Sequence, residues 1–137
     1  WTCWQYGATA TYFWAFGDSG GASSWNEYAL KGSSYTPFFI DAVSVTPAKH
    51  AEACREGIED YEYLLMLKKA VDDSAAKGQS CPEIDRARAL LEEAPKRVNA
   101  SAKALTFRWH NEAIDREVAD LVRADILEAL NALAPSK

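Results

Sequence analysis

The sequence predicts a helix-rich α/β chain in which two strands precede three helices. Three observations predict it. The composition changes near residue 47: upstream it is rich in Trp, Tyr, Phe, Gly and Ser, downstream in Ala, Leu, Glu and Arg. The downstream half also repeats its apolar residues at helical intervals, as helices with one buried face do. The upstream apolar runs are short, aromatic and bounded by Gly or Pro, as strands are.

Ala8–Phe16 is the first strand candidate. Ala8, Ala10, Tyr12, Trp14 and Phe16 share one face, and Thr9, Thr11, Phe13 and Ala15 share the other. Both faces are largely apolar, which suits a strand covered on both sides. Gly17, Asp18, Ser19, Gly20 and Gly21 then read as a loop. Trp25–Leu30 suits a short helix, and Pro37–Val45 is a second strand candidate with a nearly continuous apolar run.

Thr46 and Pro47 predict the start of the first long helix, the threonine as cap and the proline in the first turn. It is expected over 47–76, with Ala51, Cys54, Ile58, Tyr61 and Leu65 as its buried face. Gly57 lies mid-helix, where it is about 1 kcal/mol less favourable than Ala. Close approach of a neighbour would explain it. Gly78 marks the stop. A second helix is expected over 82–98, opened by Pro82 behind Ser80 or Cys81. Its face is Ile84, Ala87, Leu91, Ala94 and Val98, and Pro95 inside it should kink or shorten it. The third helix is expected from Asn111 to Leu133. Its stripe is Ile114, Val118, Leu121, Val122, Ile126, Leu130 and Leu133, with Pro135 beyond.

At 137 residues the chain has the length of one domain and can bury a core. A hydrophobic fraction of 48% with 26% charged residues argues against disorder. The net charge of −5, without a Lys/Arg run, argues against a nucleic-acid surface. No apolar stretch approaches the ~18 residues of a membrane-spanning helix. Cys3, Cys54 and Cys81 are odd in number and far apart, so they read as free thiols of a reducing, cytoplasmic-type compartment. The compartment itself stays open. The chain is aromatic from its first residues (Trp1, Trp4, Tyr6), and no signal-peptide pattern precedes them. It is therefore expected to be a piece of a longer chain.

Candidate chemistry is sparse. Glu56, Glu59, Asp60 and Glu62 crowd a short arc, but helical spacing lets Glu59 pair with Arg55, and such clusters are usually solvated faces or ion-pair networks. No catalytic residue is assigned. Trp14, Asp18 and Trp25 bracket the glycine-rich turn, beside Phe16, Asn26 and Glu27. Flat aromatic faces next to carboxylates and amides suit carbohydrate, since ring faces meet sugar C–H groups and polar groups meet hydroxyls. For Trp14, on a strand covered on both sides, the core reading leads, and for Trp25, in a Ser-rich loop, core and binding readings stand even. No G-x-G-x-x-G or P-loop is present. Gly17–Gly21 matches the serine-protease Gly-Asp-Ser-Gly-Gly signature, yet no His and Asp partners can be placed for it. His50 and His110 lack metal-ligand spacing, so neither a metal nor a cofactor is expected. Asn99-Ala100-Ser101 is a glycosylation sequon, a weak signal.

Three segments carry a resemblance. They are Tyr12–Asp18 leading to Trp25–Tyr28, Tyr35-Thr36-Pro37, and above all Glu52–Leu64, which contains REGIEDYEYL at Arg55–Leu64. Together they resemble the C-terminal end of the glycoside hydrolase family 123-like catalytic region, a (β/α)8 barrel. The likeness covers about residues 8 to 70, and the two later helices follow the family only in pattern. It implies that residues 1–46 are late barrel strands and loops. Residues 47–137 would be the closing outer helix and two C-terminal helices of the same unit. Asp18 and Trp25 would then sit on a loop at the barrel mouth, where barrel sites are built. Known members release N-acetylgalactosamine with help from the substrate's acetamido group, using an adjacent Asp-Glu pair on an earlier strand. This chain contains no Asp-Glu dipeptide. His50 stands where relatives often carry Arg, and Cys54 where Leu is usual.

The resulting expectation is the C-terminal part of a glycoside-hydrolase-like barrel, touching N-acetylhexosamine through Trp14, Asp18 and Trp25 without the catalytic acids. Its sheet edges and half-covered apolar face would call for self-association or for the missing part of the barrel. The alternative is a non-enzymatic, α-rich interaction module.

Overall fold

The computed structural model describes residues 1–12, 37–102, 115 and 117–134. The expected helix-rich character is present. Among these residues the elements are α1 (Thr2–Gln5), β1 (Phe38–Ile40), β2 (Val45–Pro47), α2 (Lys49–Ala76), α3 (Pro82–Ala102) and α4 (Glu117–Leu133). They belong to two compact units, Trp1–Ala10 with Glu59–Lys137, and Thr11–Ile58.

In the Thr11–Ile58 unit the strands differ from expectation. Pro37–Val45 is not one strand. Phe38–Ile40 pairs antiparallel with Val45–Pro47, in the register Phe38 to Pro47, Phe39 to Thr46 and Ile40 to Val45. The cause is Asp41. Its carboxylate accepts the Val43 N–H at 2.9 Å, the Ser44 N–H at 2.8 Å and the Ser44 hydroxyl at 2.8 Å, a side-chain-built turn that reverses the chain. Thr46 and Pro47 therefore complete the hairpin instead of opening the helix. The Ala48 N–H donates to the Pro37 carbonyl at 2.9 Å, and α2 begins at Lys49. The first expected strand is also absent as far as it can be followed. Residues 8–12 are irregular, Tyr12 is 86% exposed, and none of them forms strand pairing among the described residues. The remainder of Ala8–Phe16 and the expected Trp25–Leu30 helix lie outside the described residues.

The other unit is helical. α2 stops as expected at Gly78, whose φ of +67° suits glycine. The Gln79 N–H reaches the Ser74 carbonyl and the Gly78 N–H the Ala75 carbonyl, both at 3.0 Å, the paired bonds of a Schellman stop. α3 opens at Pro82 behind Cys81, whose carbonyl accepts the Ile84 N–H at 3.1 Å. It does not end at Val98. It passes through Pro95 and continues to Ala102. α4 is preceded by Asp115, whose carboxylate accepts the Glu117 N–H at 3.1 Å. The upstream part of the predicted third helix lies outside the described residues.

The core joins Leu64, Leu67 and Val71 of α2, Ala87, Ala94 and Val98 of α3, and Val122, Ile126 and Ala129 of α4. On each helix these positions are three, four or seven residues apart, the spacing of an apolar seam. α3 and α4 approach one another most closely, because alanines at the contact let the backbones come near. Arg86 to Glu128 and Arg97 to Asp125, both at 3.1 Å, cross this pair at its edges. The face predicted for α3 is the one that is buried. On α4, Leu121 is exposed instead, and Ala129 takes a core place. The face predicted for α2 is displaced by about one position. Ile58 and Leu65 are exposed and Cys54 is exposed, whereas Asp60, Leu64, Leu67 and Val71 point inward.

One element was not anticipated. Thr2–Gln5 forms a single helical turn, closed by Gly7 at φ +66°. The Ala8 N–H donates to the Cys3 carbonyl at 2.8 Å and the Gly7 N–H to the Trp4 carbonyl at 3.1 Å. This is a second Schellman stop. Trp1 and Trp4 pack against the helical core.

Candidate functional site

The residues expected to touch sugar, Trp14, Asp18 and Trp25, lie outside the described residues, as does His110. The site that can be built is the Arg55–Leu64 signature. Its carboxylates do not share one environment. Glu56, Glu59 and Glu62 are exposed, while Asp60 is 3% exposed. Arg55 donates to Glu52 at 2.9 Å and lies 3.9 Å from Glu56, an exposed arrangement of little energetic weight.

Asp60 is held by Arg123 of α4. The guanidinium Nε donates to one carboxylate oxygen at 2.5 Å and an Nη to the other at 3.2 Å. This two-pronged pairing is the geometry in which arginine binds a carboxylate best. Arg123 also donates to Asp120 at 3.2 Å, which orients the guanidinium from its own helix. No buried side-chain polar atom lacks a partner among the described residues. Of the two expectations for such a cluster, a solvated face or an ion-pair network, Asp60 meets the second. Its partner lies far along the chain, and only a charged residue on an otherwise apolar seam (Leu64, Leu67, Val71) hinted at it. The neighbouring signature residues also face inward: Tyr63 packs on the core, and Tyr61 meets Trp4 edge to face with ring centroids 5.4 Å apart. Gly57 has no neighbour within contact distance of an added Cβ among the described residues, so close packing does not account for it here.

Other titratable groups show where charge is organised. The Asp41 carboxyl is held below its usual value, first by the Val43 N–H and then by the Ser44 hydroxyl. Glu83 is lowered by the Cys81 thiol and then its own N–H. Lys69 is raised by Asp73, Lys96 by Glu93 and Arg86 by Glu128, in each case through the hydrogen bond first. Each of these shifts comes from a surface pair or a turn, and none from two carboxylates sharing a site. The three cysteines are free thiols. Among the described residues no three His, Cys, Asp or Glu gather as metal ligands would, and no helix is long and apolar enough to cross a membrane. The sequon residue Asn99 is half-buried in α3 with its amide engaged both ways. It accepts from the Thr2 hydroxyl at 2.9 Å and donates to Gln5 at 2.5 Å.

No family model, curated protein or solved structure matches the chain.

Proposed function

We propose that this chain is the C-terminal part of a glycoside-hydrolase-like (β/α)8 catalytic region. On this reading it supplies helical support and sugar-contacting residues, Trp14, Asp18 and Trp25, but not the catalytic acid pair. The observation that carries the reading is the REGIEDYEYL stretch, Arg55–Leu64. It lies on one unbroken helix and divides cleanly by role. Asp60, Tyr61, Tyr63 and Leu64 fasten the later part of α2 to the helical unit, while Cys54, Ile58 and Leu65 are exposed along the helix. A helix with two apolar stripes has to meet two partners. The outer helix of a larger barrel does so. The hairpin at Phe38–Pro47 lends no support as a barrel strand, so the proposal rests on the helix.

Titration with N-acetylhexosamines tests it. Tryptophan fluorescence of the chain falls on binding, and Trp25→Ala removes the response. A flat titration with the intact chain ends the sugar-binding reading. The exposed stripe also favours a second reading, a non-enzymatic interaction module. That one predicts no response to sugar but association that rises with concentration.

A further inference from the structure

We draw no further inference here: the strongest candidate, the exposed surface patch of α2 at Cys54, Ile58 and Leu65, is an apolar helix face, and nothing among the described residues shows what covers it.

Discussion

Asp60 is a charge placed where an aliphatic residue would fit the seam. Taking one partner from a buried ion pair strands the other, and that is costlier than the pair is worth. Asp60 is nearly inaccessible and the Arg123 side chain is 24% exposed. Asp60→Ala or Arg123→Met is therefore expected to destabilise the chain by about 3 kcal/mol. The double variant Asp60→Leu with Arg123→Met should recover most of that loss. Urea midpoints at unchanged slope are the measurement. Equal losses in the single and double variants would show that the pair is not the source. Asp41 is a different case, an exposed carboxylate that builds a turn. Its pKa is lowered in the folded hairpin, by the Val43 N–H first. The stabilisation is thus fully present above the unfolded carboxyl pKa of about 3.9. It disappears as pH falls through the lowered folded value. A carboxyl-detected NMR titration should place the Asp41 midpoint below that of a model peptide, and Asp41→Asn should remove the acid-limb fraying of Phe38–Pro47. A midpoint at or above the peptide value would contradict the turn.

Helices and hairpin were legible from the sequence to different degrees, for reasons that particular residues make plain. α3 was readable because its seam, Ile84 to Val98, is the one apolar stripe on that helix. α2 carries two stripes one position apart, and the one free of charged residues, Ala51–Leu65, is the natural choice from sequence. The structure buries the other, since Asp60 is tolerated once Arg123 arrives from α4. No local rule announces a partner so distant. Pro37–Val45 looked like a strand by apolarity, but a single Asp side chain accepting two N–H groups outweighs that pattern. α1 could not be foreseen, because a single turn has no periodicity. The expected sugar contacts were legible only as residue types. Gly57 gives a prediction for α2. Its backbone is helical, and no described neighbour occupies the space of a Cβ. Gly57→Ala should stabilise the isolated chain by about 0.5–1 kcal/mol. A lower melting temperature would reveal a neighbour packed against that position.

The stripe left open on α2 is a property of the molecule as a whole. Ile58 is 61% exposed and Leu65 47%, one heptad apart on the same side of the helix, with Cys54 exposed one turn before Ile58. Single exposed aliphatics are ordinary on a surface, but a row in register is a contact site in waiting. The three helices already have their core, so the row is not needed to hold them together. That separation makes a clean experiment possible. Leu65→Glu alters an exposed side chain and should leave helicity and urea midpoint nearly unchanged. If the row meets a second copy, light scattering of the wild type shows mass rising with concentration, and Leu65→Glu restores the monomer. The net charge of −5 opposes association of like chains, so added salt should strengthen self-association through the apolar row and leave the variant unaffected. A wild type that stays monomeric at every concentration and salt level would remove self-association as the use of this face. It would then leave a different partner to be sought, and the same substitution would have to weaken that union.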